Sequence, residues 1–174
     1  GELKNARGVA VKLGPQATES AALALGLLPN LDEKQKEAVR NVCLEALRDT
    51  NQRTRERAWA AVSLGFQRDK AAIEPLLAEL KKKYPDDNVP AGILCGLGLI
   101  GDESVIPALC TMFSKRQYEG QELSDRVQSF AGYALTKIAE SAQGWSENLR
   151  LALDATLGVL KSRSAGNIAK RSAF

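Results

Sequence analysis

Apolar residues recur along this chain at the three- and four-residue spacing of helices, in segments separated by short polar turns. Gly14-Pro15 ends the first of these segments, and Tyr84-Pro85-Asp86 ends another. The pattern predicts helices over 16–28, 32–48, 54–66, 71–83, 89–100, 103–115, 125–139 and 147–160, with a shorter helical stripe within 2–14. We therefore expect an all-α fold.

A motif of a small residue, a leucine and a glycine recurs near the end of every second predicted helix, with Thr136 in place of the glycine in the last copy. Its leucines, Leu25, Leu64, Leu97 and Leu135, stand 39, 33 and 38 residues apart. The segments 56–82 and 89–115 align without a gap at an offset of 33 residues. A recurrence of this length is typical of an array of helix pairs, in which each pair buries its apolar face against its neighbours.

The repeated positions have physical roles that predict where they lie. Gly65 and Gly98 allow neighbouring helices to approach closely, and Asp69 and Asp102 can cap the helix that follows. The spacing Gly96-x-Gly98-x-x-Gly101 also matches a dinucleotide fingerprint, but that fingerprint requires a preceding strand and a helix that opens after it. Here the glycines fall near the end of a predicted helix, so we interpret them as packing and turn positions.

The pattern Ala-Leu-Gly-x-Ile-Gly-Asp, followed by Ile-x-x-Leu on the next helix, resembles the HEAT repeat family. Residues 89–115 carry the fullest match, 56–83 the next, and the resemblance covers roughly 16–162. It implies a right-handed α-solenoid of about four antiparallel helix pairs, with partial repeats at both ends. The expected organisation is one domain over 1–174, with a partial repeat at 1–14, repeats at 15–50, 51–86, 87–123 and 124–163, and the start of a truncated repeat at 164–174.

Composition argues against most kinds of catalytic or metal site. The chain has no histidine, which removes the commonest general base and the commonest metal ligand. Cys43, Cys95 and Cys110 are dispersed in apolar rows, so we interpret them as buried thiols in a reducing compartment. We therefore expect a cytoplasmic protein with no catalytic activity, no cofactor and no metal. No apolar run approaches the roughly 20 residues of a membrane span.

The resemblance to HEAT arrays implies a scaffold that binds another protein along a concave face lined by the second helix of each pair. Polar residues beside the apolar stripes of these helices are the candidate contacts. They are Glu37, Arg40, Asn41, Glu45, Glu74, Glu79, Thr111, Arg150 and Asp154. Their mixed charge favours a protein partner over nucleic acid.

Two other functions stay open at this point. The basic residues around the second repeat and near the end of the chain suit a nucleic-acid-binding solenoid. Such a protein would include a HEAT-like DNA glycosylase, for which Trp59 and Trp145 are the candidate aromatics. We favour core packing for Trp59 and packing beneath its own loop for Trp145. The remaining alternative is a structural spacer in a longer protein. The last residues resemble earlier repeats, which suggests a longer array.

Overall fold

A computed structural model of the protein describes residues 15–162, with side chains from residue 17 onward. This part of the chain is all-α, as expected, and contains four helix pairs. The helices are α1 (Pro15–Gly26), α2 (Glu33–Arg48), α3 (Thr54–Phe66), α4 (Ile73–Leu80), α5 (Asn88–Ile100), α6 (Ile106–Lys115), α7 (Asp125–Ser141) and α8 (Glu147–Lys161). The partial repeats expected at 1–14 and 164–174 lie outside the described residues.

Short polar side chains fix where several helices begin. Asp32 accepts a hydrogen bond from the backbone N–H of Gln35, whose side chain in turn accepts from the backbone N–H of Asp32. Ser124 and Ser146 cap α7 and α8 in the simpler way, by accepting from an N–H three residues ahead. These caps pair N–H groups that have no partner within the helix.

The predicted caps Asp69 and Asp102 are confirmed, but each opens a 3₁₀ turn before the α-helix. Their carboxylates accept from the backbone N–H groups of Ala71 and Ser104, at 3.0 and 2.9 Å. The α-helical geometry of α4 and α6 consequently begins only at Ile73 and Ile106, later than the periodicity predicts. Tight 3₁₀ turns of this kind are common at helix N-termini.

The first helices of the four pairs, α1, α3, α5 and α7, pack side by side in one continuous row. Glycines lie at these contacts. A Cβ atom on Gly65 would come 2.7 Å from the Cα of Gly96, and one on Gly98 would come 2.7 Å from the Cα of Ala134. Distances this short leave no room for a methyl group, so the missing side chains set the spacing of the row.

The second helices are less closely packed with one another. Helix α4 makes only marginal contact with α2 and α6, although α6 packs against α8. The first helices therefore form the more closely packed of the two layers. The partner-binding face that the resemblance to HEAT arrays implied lies on the other layer, that of the second helices.

The core lies between the two layers and consists of the leucines and isoleucines that face inward from both. Leu47, Leu64, Leu76, Ile93 and Leu97 are fully buried there. Val42, which the periodicity placed on the apolar stripe of α2, is 52% exposed. The buried stripe of α2 is narrower than the periodicity predicts because Val39, Cys43 and Leu47 already fill the contact between α2 and the neighbouring helix α3.

The connector between α6 and α7, expected as an irregular polar segment, contains a short β-hairpin. Strand β1 (Gln117–Tyr118) pairs antiparallel with β2 (Gln121–Glu122). The two turn residues, Glu119 and Gly120, both have positive φ values (48° and 77°), which matches the twist that two-residue hairpins prefer. The Gln121 side chain donates to the carbonyl of Lys81 at 2.6 Å and so ties the hairpin to the preceding repeat.

Ion pairs join the first three repeats to one another at the turns within the pairs. Arg40 contacts Asp69 at 2.6 Å, and Lys70 contacts Asp102 at 2.8 Å. The Lys70 ammonium and the hydrogen bonds from Ser104 lower the pKa of Asp102 from its ordinary value of 3.8 to about 2. Each capping aspartate thus stabilises the start of the second helix of its own pair, and it also binds a basic side chain of the preceding repeat.

Replacing Gly96 with alanine tests the spacing of the first helices. In an ordinary helix this change stabilises by up to about 1 kcal/mol. Here the new methyl group would overlap the carbonyl oxygen of Ala61, so we expect the free energy of unfolding to fall by about 1–3 kcal/mol. Denaturant unfolding of G96A and the wild type measures this.

The matched control for this change is Gly158, which lies in α8 with no atom near its would-be Cβ. We expect G158A to raise the free energy of unfolding by about 0.5–1 kcal/mol. Equal effects of the two substitutions would contradict glycine-limited packing.

Replacing Asp102 with asparagine tests its ion pair, because asparagine still accepts the capping hydrogen bond. The folded-state pKa lies below 3.8, so the carboxylate stabilises the fold above pH 4, and this stabilisation is lost as the pH falls toward 2. We expect the melting temperature of D102N to lie below that of the wild type at pH 6 and to converge with it as the pH falls. The control E37Q alters an exposed carboxylate outside any ion pair among the described residues, and should leave the melting temperature unchanged at each pH.

Candidate functional site

The nine residues predicted from the second helices do not converge on one site. Six are exposed (Glu37, Asn41, Glu45, Glu74, Arg150 and Asp154), Arg40 and Thr111 are half-buried, and Glu79 is buried. Arg40 is held in its ion pair with Asp69. Asn41 and Glu45 share a shallow depression on α2 with Arg48. That a partner binds the surface of the second helices therefore stays a prediction.

Glu79 belongs to a structural network rather than to an open surface. Its carboxylate is 2% exposed and accepts from Arg48 at 3.1 Å, Lys82 at 2.8 Å and the Tyr84 hydroxyl at 3.1 Å. Burial by itself would raise the pKa of Glu79, but these three hydrogen bonds outweigh burial and lower it. The Arg57 guanidinium lies over the Tyr84 ring and donates to the carbonyl of Leu47. The cluster links α2, α3 and α4.

An open apolar cavity of about 780 Å³ lies on the layer of first helices, across α3, α5 and α7. We call it the first-helix groove. On each helix its lining positions are three or four residues apart, so one face of each helix contributes. The lining residues are Arg55, Ala58, Trp59, Val62 and Phe66 from α3, Asn88, Ala91, Gly92, Cys95 and Leu99 from α5, and Arg126, Phe130, Tyr133 and Lys137 from α7.

Large side chains form the two walls of the first-helix groove, and small ones form its floor. Trp59 stands on the α3 side, while Phe130 and Tyr133 pack edge to face on the α7 side, with ring centroids 6.3 Å apart. Between them α5 contributes Gly92 and Cys95. The depth of the groove thus comes from a central helix with little side-chain volume.

The dimensions of the groove follow from helix geometry. Its lining positions span 12 residues on each helix, and the rise from the first to the last corresponds to a length of about 16 Å. Packed helices lie 8–10 Å apart, so the axes of α3 and α7 are roughly 16–20 Å apart. The space between the walls is therefore comparable with the diameter of one α-helix, about 10 Å.

All charged side chains that line the groove are basic. Arg55 forms an ion pair with Glu19 at 3.3 Å, and Lys137 forms one with Glu140 at 2.7 Å. Arg126 donates to the side-chain oxygen of Asn88 at 3.2 Å. The groove consequently combines an apolar interior with a positively charged rim.

Family comparison supplies one further observation. Residues 56–82, which comprise nearly all of α3 and α4, match the family model described as PBS lyase HEAT-like repeat. The chain therefore contains a HEAT-like repeat at α3 and α4, and the described helix pairs are consistent with an all-α HEAT-like repeat fold. No curated protein matches it.

The helix pair that matches the family model, α3 and α4, carries Trp59. Both tryptophans lie in surroundings that differ from the sequence prediction. Trp59 is half-buried in the groove wall of this HEAT-like repeat protein, because Ala60, Ala61 and Leu64 occupy the face of α3 that turns toward the core. Trp145 is 77% exposed in the turn before α8, so packing beneath its own loop was the wrong prediction. A short polar turn provides too little apolar surface to cover an indole ring.

The glycines that match a dinucleotide fingerprint are packing and turn positions in the HEAT-like repeat protein, as predicted. The backbone of Ala61 covers Gly96, and that of Ala134 covers Gly98, which leaves neither glycine free for a ligand. Gly101 ends α5 in the left-handed region, with φ 76°, where glycine is favoured.

Other site types have little support in the residues that the structure describes. Between residues 15 and 162 no group of three or more cysteine, aspartate or glutamate side chains is arranged to hold a metal ion. None of the helices described there has the length and apolar character to cross a membrane.

The three cysteines provide a test of access to the groove. Burial raises the pKa of Cys43 and of Cys110 to about 11. Cys95 is half-buried in the groove floor, where burial raises its pKa and nearby Lys137 opposes the rise. We expect a maleimide to modify Cys95 first in the native HEAT-like repeat protein, more slowly than an unburied thiol and faster as the pH rises.

Peptide mapping after partial labelling measures the order of modification. In C95S the fast phase should disappear, whereas C43S should retain it. Labelling of Cys43 or Cys110 ahead of Cys95 would contradict an open groove.

Proposed function

We propose that this HEAT-like repeat protein is a non-catalytic interaction module that binds a segment of a partner protein in the first-helix groove. The observation that carries the proposal is a groove with an aromatic side chain on each wall, Trp59 and Tyr133, and arginines on its rim. Tryptophan, tyrosine and arginine are the residues that most often dominate the binding energy of protein interfaces. Helical repeat arrays commonly serve as scaffolds, which agrees with this use.

The chemistry of the groove supports binding rather than bond formation. Cys95, Tyr133 and Lys137 are its groups with the potential to act as nucleophile or acid. Burial raises the pKa of Cys95 and Tyr133, and the hydrogen bond to Glu140 raises the pKa of Lys137, so all three are largely protonated near neutral pH. A reactive cysteine needs a depressed pKa, which is the opposite shift.

The groove is a better candidate for the partner surface than the second-helix row. The groove brings fourteen residues from three repeats to one largely apolar surface. The second-helix residues are distributed over separate helices, and Glu79 is buried. A partner that contacts Glu74 or Arg150 in addition would extend over the outer layer, and substitutions there measure that contribution separately.

Selection of displayed random peptides against the protein tests the proposal. We expect enriched peptides to lose about tenfold or more in affinity when Trp59 is replaced with alanine, because a buried aromatic contact contributes about 2 kcal/mol or more. The matched control is W145A, which removes an exposed tryptophan outside the groove and should leave the affinity unchanged. Fluorescence anisotropy measures the affinities.

A second variant guards against a folding defect in W59A. Phe66 lies at the end of the groove with 41% of its surface exposed, so F66A should weaken the same peptides and retain the wild-type melting temperature. Failure to enrich any peptide, or enriched peptides that bind W59A and F66A as tightly as the wild type, would refute the groove as the partner site.

A further inference from the structure

The positive charge of the first-helix groove is concentrated at one end. Arg55 lies in the first turn of α3, Arg126 in the first turn of α7, and Asn88, the first residue of α5, lies between them. The three helices run in the same direction, so their N-termini meet at this end. Helix N-termini carry partial positive charge, which adds to that of the two arginines.

These arginines are available to a ligand. Within residues 17–162 no carboxylate lies within ion-pair distance of Arg126. Asp86, whose carboxylate interacts with the charge of Arg126, already accepts hydrogen bonds from the Thr54 hydroxyl at 2.6 Å and the backbone N–H of Asn88 at 2.9 Å. The Arg55 side chain is 70% exposed, although its partner Glu19 is only 16% exposed, so the guanidinium has surface free for a second carboxylate.

The rest of the groove selects for apolar surface of helical shape. Its walls are a helix diameter apart and about three helical turns long, as derived above. All fourteen lining residues lie on helices, whose backbone groups bond within the helix, so the lining offers no strand edge to pair with an extended peptide. The apolar floor at Gly92 and Cys95 accommodates the side chains of an amphipathic helix, the helix-in-groove mode of recognition.

We propose that the occupant is an acidic amphipathic helix of the partner protein. This rests on the proposed function of the groove. The apolar face of the helix lies on the α5 floor between Trp59 and Tyr133, and its carboxylates pair with Arg55 and Arg126.

A nucleic acid fits the same surface less well. Phosphate backbones are held by many cations, whereas this groove has three, Arg55, Arg126 and Lys137. Aromatic rings can stack on bases, but Val62, Leu99 and Ala91 offer bases no hydrogen-bonding group. Aliphatic side chains of a partner helix match this lining directly.

A displayed library of helical peptides of about 16 residues tests the inference. Apolar residues are fixed at the spacing i, i+3, i+4, i+7, and every other position is drawn equally from glutamate, glutamine and lysine. We expect enriched peptides to carry an excess of glutamate. Each is then synthesised with its matched glutamate-to-glutamine peptide, and we expect the acidic form to bind about tenfold more tightly at low salt.

The double variant R55Q/R126Q identifies the groups responsible. It should reduce the preference for the acidic peptide to less than about threefold, as should high salt, because exposed charge pairs are screened. The control K161Q removes a cation at the end of α8, outside the groove, and should leave the preference intact.

The outcomes separate this inference from the function on which it rests. Peptides that need Trp59 but carry no excess of glutamate, or whose acidic preference survives R55Q/R126Q, would overturn the acidic helix and leave the groove as a partner site. Peptides that do not need Trp59 would overturn both. Binding of the acidic peptide is also compared directly with that of nucleic acid, by measuring a labelled ten-nucleotide oligothymidine. If the oligonucleotide binds more tightly than the acidic peptide and this binding is lost in R55Q/R126Q, the acidic helix is overturned and the surface is assigned to nucleic acid.

Discussion

The close approach of the first helices is the contact on which the rest of this structure depends. Gly65 meets Gly96, and Gly98 meets Ala134, at distances that exclude even a methyl group. The glycines thus bring the first helices closer together than the second helices. The same lack of side chains on α5 leaves the central floor on which the first-helix groove is built.

Polar contacts fix how each repeat is oriented on its neighbour. The aspartate that caps each of the two central second helices also binds a basic side chain of the preceding repeat, in the pairs Arg40–Asp69 and Lys70–Asp102. At the last junction the hydroxyl of Ser146 donates to Glu103 instead. Apolar burial supplies most of the stability of such an array but little direction, whereas these pairs have defined geometry.

The groove shows how one helix serves two purposes. On α3, the residues that face the core are Ala60, Ala61 and Leu64, and those that face the groove are Trp59 and Phe66. The core positions are small or aliphatic because neighbouring helices contact them closely. The groove positions are not in such close contact with neighbouring helices, so bulky aromatic side chains fit there and provide a surface for a partner.

The sequence by itself determined the helix pairs, the caps and the roles of the repeated glycines. These depend on local hydrogen bonding, on helical periodicity and on the 33-residue recurrence, and all of them follow from the order of residues along the chain. Only the tertiary structure decided which layer is more closely packed, that Trp59 lines a groove, that Trp145 and Val42 are exposed, and that Glu79 is buried. Those outcomes depend on the distances between helices, which arise when glycines far apart in the chain meet across an interface.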